Sequence, residues 1–104
     1  MDNTIDKAIA DYIKLIREKY SRLEAAWLFG SYAKGKPTID SDIDLALIFR
    51  ELDDSVRFDV QVQLMFLAAK IDSRIEPHPI SLEDFNSGNP FVTEIQIYGI
   101  VVSN

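Results

Sequence analysis

There is no cysteine in this 104-residue chain and only one histidine, His78. The first absence excludes disulfides, thiolate metal sites and a cysteine nucleophile. The second excludes a multi-histidine zinc site within one chain. Long apolar runs are missing too, none approaching the about 20 residues a membrane helix needs. The opening stretch "MDNTIDKAIADYIK" is polar and acidic from its start, unlike a secretory leader. Basic residues are in deficit, 11 Lys and Arg against 17 Asp and Glu, for a net charge of −6. Sequence-independent binding to nucleic acid draws on phosphate neutralisation, so that balance argues against it. The expectation is a cytoplasmic protein with no membrane segment, a single domain over residues 1–104, large enough for one modest core.

Periodicity supplies the elements. Ile5, Ile9, Tyr12, Ile13, Ile16 and Tyr20 recur at helical spacing, with Asn3 or Thr4 available as a cap. "EAAWLF" is a continuous apolar run, as in a strand buried on both faces, which makes Trp27 core. Gly30 breaks it; "SYAKG" suits a helical turn and "KPTIDS" a loop. "DIDLALIF" alternates, with Ile43, Leu45, Leu47 and Phe49 on one face and Asp42, Asp44, Ala46 and Ile48 on the other. "VRFDVQVQL" alternates as well, but Val56, Val60, Leu64, Leu67 and Ile71 keep helical spacing over a longer run. A helix capped near Asp53, Asp54 or Ser55 is therefore predicted. Pro77 and Pro79 make "SRIEPHPI" an edge strand or a partly unpaired one. Ser81 and Asp84 open a short helix, Asn89-Pro90 start another that Gly99 stops, and "IVVS" can add a strand. The fold class is α/β or α+β, a small mixed sheet with helices packed on it.

The stretch "AWLFGSYAKGKPTIDSDIDLALIF" carries the chemistry. Asp42 and Asp44 project from one strand face, where two carboxylates repel unless a cation lies between them. A hard divalent ion such as Mg²⁺ takes oxygen ligands and is typically held by one or two carboxylates plus substrate phosphates. Upstream, Gly30-Ser31 ends a strand and opens a turn, where backbone N–H groups and a hydroxyl can hold a phosphate. Phosphate cradle and metal clamp are joined by a ten-residue link between Ser31 and Asp42. Together they point to a nucleoside triphosphate bound through magnesium. Lys34 and Lys36 are placed to neutralise its outer phosphates, although loop lysines are as often solvated.

"GSYAKG" followed by "DID" resembles the signature of the DNA polymerase beta superfamily of nucleotidyltransferases, and the short chain is similar to its minimal branch. The resemblance implies a helix-first mixed-sheet fold and two Mg²⁺ ions on three acidic positions. Asp42 and Asp44 match the first two; Glu76 in "RIEPHPI" is offered for the third, where it would also help deprotonate the attacking hydroxyl. A glutamate there departs from the family's pattern by its longer reach. The implied reaction leaves a nucleoside monophosphate, AMP from ATP, on an acceptor and releases pyrophosphate. Minimal members are similar to partners of small helical HEPN-type proteins in toxin–antitoxin pairs, where AMP is transferred to the toxin. The apolar run "FVTEIQIYGIVV" also admits a homodimer.

Blander readings stand beside these. Asp42 and Asp44 can be a solvated strand mouth, Glu76 an exposed edge charge, and His78 a surface histidine. At the level of function, the alternative is a non-catalytic antitoxin module that neutralises or scaffolds a partner by contact, with a vestigial nucleotide site. A sensor that binds metal or nucleotide without turnover is a third reading.

Overall fold

The apolar positions at helical spacing form the buried face of α1 (Asn3–Lys19), with Tyr12 and Ile16 fully enclosed. The computed structural model describes residues 3–104, with side chains from residue 4. Asn3 and Thr4, expected as caps, both lie within the helix, and the Asn3 side chain falls outside the described residues. Tyr20 lies just beyond the helix, edge-on to Phe49 with ring centroids 5.8 Å apart.

After α1 come β1 (Leu23–Phe29), β2 (Ile43–Phe49), α2 (Asp54–Ile71), β3 (Ile75–Ser81), α3 (Leu82–Phe85), α4 (Pro90–Tyr98) and β4 (Ile100–Ser103). The sheet order is β3-β2-β1-β4. β1 pairs antiparallel with β2 and with β4, while β2 and β3 run parallel and are joined through α2. This is the mixed sheet with helices that the pattern implies.

The three later helices start where their side chains predict. The Asp53 carboxylate accepts from Ser55 N–H at α2, the Ser81 hydroxyl from Asp84 N–H at α3, and the Asn89 side chain from Phe91 N–H at α4. The helical spacing wins over the alternation in α2, because Leu64, Leu67 and Ala68 are what the helix buries.

Two cores flank the sheet. Ile43, Leu45, Leu47 and Phe49 face α1 and α2 together with Leu28 and Ile75. Ala46, Ile48 and Ile80 face α3 and α4, against Phe85, Val92 and Ile95. The alternation expected for β2 is therefore observed, although Asp42 lies one residue ahead of the strand.

β1 differs from expectation. Rather than being buried throughout, it alternates, with Leu23, Ala26 and Leu28 enclosed and Ala25, Trp27 and Phe29 half-buried. Trp27 packs against Phe85 at 5.5 Å between ring centroids but keeps an open flank. The short α3 and α4 do not reach across the whole second face, so its large side chains stay partly wet.

β3 is an edge strand, as its prolines require. The Arg74 carbonyl accepts from Ile43 N–H at 2.8 Å, so the alternate positions Ile75, Pro77 and Pro79 turn their backbone outward. On that outer side the Gln61 amide donates to the Pro77 carbonyl at 2.7 Å. α2 also carries an outward stripe of apolar residues, Phe58, Val62, Met65, Phe66 and Ala69, with Phe58 76% exposed and Phe66 66% exposed. Among the described residues no helix is long and apolar enough to cross a membrane.

Candidate active site

Strand pairing assembles the site on the α3–α4 face of the sheet. Phe29 at the end of β1 lies opposite Asp44, and Asp44 lies opposite Glu76 on β3. Paired residues project to the same face, so Asp44 and Glu76 are neighbours there. His78 is one step further along β3, opposite Ala46, and its Nε2 stands 3.2 Å from Asp44 Oδ1. The His78 ring also meets Phe29 edge-on at 5.0 Å.

The register that sets Glu76 beside Asp44 is anchored just upstream. The Asp72 carboxylate accepts from Arg74 N–H at 2.9 Å and from its guanidinium at 2.7 Å. Those hydrogen bonds, helped by the charge of Arg74, hold the Asp72 carboxyl below its ordinary range despite partial burial. The same Arg74 receives β2 through its carbonyl.

Gly30 is set by two constraints at once. Its φ of +75° is a left-handed conformation that L side chains rarely adopt. A Cβ built there would also collide with Oδ2 of Asp44. The following turn is helical for a single step, Lys34 N–H bonding to the Gly30 carbonyl at 3.2 Å. Ser31 is exposed at its start.

Lys34 is held by residues far from it in the chain. Its Nζ lies 3.3 Å from a Glu94 carboxylate oxygen and 5.4 Å from the centroid of the Tyr98 ring. α4 thus draws the lysine toward itself, a partner no local sequence pattern announces. Lys36 is exposed in the loop.

Asp42 is exposed and Asp44 is half-buried. Among the described residues, no three Asp, Glu or His side chains converge closely enough to form a metal cage by themselves. The donor set nevertheless suits a hard divalent ion, being carboxylate oxygen beside a bare glycine backbone where phosphate oxygens can complete the shell. Asp42, Asp44 and Glu76 are the residues that could hold it. His78, contacting Asp44, and Phe91, 5.7 Å from Phe29 between ring centroids, join the site from positions the motif does not cover.

Comparisons with known proteins bear on the family and the fold. The family model described as Polymerase beta, Nucleotidyltransferase matches residues 11–104. The protein adenylyltransferase MntA of Shewanella oneidensis is 35% identical over 65 residues, covering 62% of this chain and 45% of that protein. The chain spans about half the length of the curated relatives it matches. A solved toxin–antitoxin structure with AMP-PNP superposes with a TM-score of 0.61 at 24% identity, covering 93% of this chain and 71% of that one. A tri-AMPylated Shewanella oneidensis HEPN toxin in complex with MNT antitoxin gives 0.58 at 22% identity, over 91% of this chain and 68% of that one. At these identities the solved structures show a shared fold.

Proposed function

The chain belongs to the polymerase beta nucleotidyltransferase family, and from that premise we propose a magnesium-dependent transferase that moves AMP from ATP to a hydroxyl of a partner protein. One observation carries the reading: the Asp44 carboxylate packs on the bare Cα of Gly30 with Glu76 in register beside it. That contact joins a phosphate-binding turn to acidic side chains on two strands, the combination a triphosphate needs.

Gly30 and Ser31 would bind phosphate through backbone N–H groups and the Ser31 hydroxyl. Asp42, Asp44 and Glu76 would hold magnesium. When bound, the metal stabilises negative charge on the attacking and leaving oxygens of an in-line displacement. Glu76 would accept the proton of the acceptor hydroxyl as its oxygen bonds to the α-phosphorus. The bond from that phosphorus to the bridging oxygen breaks, and pyrophosphate leaves. His78 would orient Asp44 by its hydrogen bond. Rigid strands serve this chemistry because phosphoryl transfer depends on positioning and electrostatics more than on covalent catalysis.

The adenylyl group and the HEPN-type helical acceptor rest on the names of the relatives: a protein adenylyltransferase and an AMPylated HEPN toxin held by its antitoxin. A surface for such a partner is available. The outward stripe on α2 repeats at helical spacing, the pattern a facing helix packs into. The same stripe favours the second reading, a contact-only antitoxin, since contact through α2 requires no chemistry.

Co-purification from the native host separates the two. Wild type and the Asp42→Ala, Asp44→Ala double variant are tagged, and intact masses of bound proteins are compared. A partner carrying AMP only with the wild type supports transfer. A partner held equally by both and never modified removes transfer to it and leaves the contact-only module.

A further inference from the structure

Beside the phosphate-binding turn is a cleft of about 220 Å³ that the reaction as described leaves unused. Its walls are the rings of Phe29, Phe91 and Tyr98, the Gly30 backbone, and the Lys34–Glu94 pair. Phe91 and Tyr98 are 46% and 58% exposed. Large aromatic faces left open to water beside a binding turn are surface that a flat apolar ligand would cover. The volume falls below the roughly 300–1,000 Å³ of sites that take a whole ligand, so the cleft accepts one ring system. Phe91 and Tyr98 are seven residues apart on α4, about 10 Å along the axis. That span suits a two-ring base better than a one-ring base.

We propose that this cleft seats the purine base of the nucleotide whose phosphates lie at Gly30 and Ser31. The inference rests on the transferase reading and deepens it. A nucleotide's base is joined through a single sugar to its α-phosphate, so its seat must lie within a sugar's reach of the place where Gly30 meets Asp44. Gly30 lines both. Stacking on Phe91 and Tyr98 supplies affinity without reading the base edge, while the Glu94 carboxylate stands in the wall as an acceptor for an amino group. Lys34, now over the Tyr98 ring, is the side chain that must shift as the base enters.

The test is titration of wild type, Tyr98→Ala and Phe91→Ala with magnesium complexes of ATP, GTP, CTP and inorganic tripolyphosphate, each protein's folding checked by thermal melting. Wild type is expected to bind ATP or GTP more tightly than CTP. Each variant should lose about fivefold or more in purine nucleotide affinity, the scale of one lost base stack, with tripolyphosphate affinity unchanged. The proposal is overturned if purine nucleotide and tripolyphosphate affinities fall together, or if CTP binds as well as ATP and GTP. It is also overturned if Tyr98→Ala releases a protein partner while nucleotide affinity stays intact, which assigns the cleft to that partner. If wild type binds neither nucleotide nor tripolyphosphate, the transferase reading fails along with it, an outcome distinct from losing base recognition alone.

Discussion

The carboxylate of Asp44 fills the space where a side chain at Gly30 would begin. The two residues close one contact between strands β1 and β2, and the left-handed φ of the glycine makes the position doubly intolerant of substitution. Gly30→Ala should keep the fold, at a cost of about 1–2 kcal/mol for the forced backbone conformation. It should displace Asp44 and weaken magnesium–ATP binding by at least about tenfold, a loss of about 1.4 kcal/mol. Calorimetric titration beside a thermal melt checks both; wild-type affinity in the variant would refute the contact's role.

Glu76 and His78 both approach Asp44 from β3, and their substitutions should separate. Glu76→Gln keeps size but cannot take a proton, so the transfer rate should fall by about 10²-fold or more, the scale of general base catalysis. His78→Asn removes an orienting contact to Asp44 and should cost less, about tenfold, since one such bond is worth roughly 1 kcal/mol. Single-turnover AMP transfer on a purified partner gives the two rates. The reverse order would move the proton-accepting role to His78.

The outer face of α2 gives a test independent of chemistry. Phe58→Asp with Phe66→Asp places two charges on the most exposed part of that stripe, at side chains 76% and 66% open to water. Partner capture should drop by more than about tenfold, while the melting temperature stays within the small range of surface substitutions. Size-exclusion chromatography of the wild type alone should show one copy. Self-association abolished by the same pair would give the face to a second copy instead.

Tyr12 sets the alkaline limit. Its ring is fully enclosed and its hydroxyl donates to the Leu64 carbonyl at 2.8 Å, linking α1 to α2. Burial, with a smaller contribution from Tyr20, pushes the phenol well above its usual range. The unfolded chain ionises near pH 10 while the folded one keeps the proton. The contribution is therefore complete below about pH 10 and declines above it, by up to about 1.4 kcal/mol per pH unit. Tyr12→Phe should lose about 1 kcal/mol at neutral pH and show a shallower decline between pH 10 and 12 in denaturant titrations. Tyr20, whose pKa is also raised by burial, accounts for part of the residual slope.

Local chemistry was legible in the sequence where neighbours in the chain decide it. The alternation of β2, the caps Asp53, Ser81 and Asn89, and the edge position forced by Pro77 and Pro79 all read directly. What lies across the sheet did not. That Glu76 falls opposite Asp44 depends on the length of α2 and on the Asp72–Arg74 anchor, and no periodicity encodes a register between strands. Trp27 sits in an apolar run that reads as core, yet its exposure depends on how far α3 and α4 extend over the sheet. Lys34 meets Glu94 from 60 positions away. In α2 the buried stripe that includes Leu64 and Leu67 is matched by an outward one that includes Phe58 and Phe66, and a helix apolar on two sides has no dominant face.

The outward backbone of β3 has a consequence for how copies of this protein meet. Two of its three outward positions, Pro77 and Pro79, have no N–H to offer, and the Pro77 carbonyl is already taken by Gln61. A strand arriving at that margin finds no ladder to extend. The opposite margin, β4, contains no proline and exposes Ile100 and Val101. Stacking of sheets head to tail would need both margins, and only one is open. Any association along the sheet would therefore be confined to β4 against β4, which would close at two copies and could not propagate into a fibre.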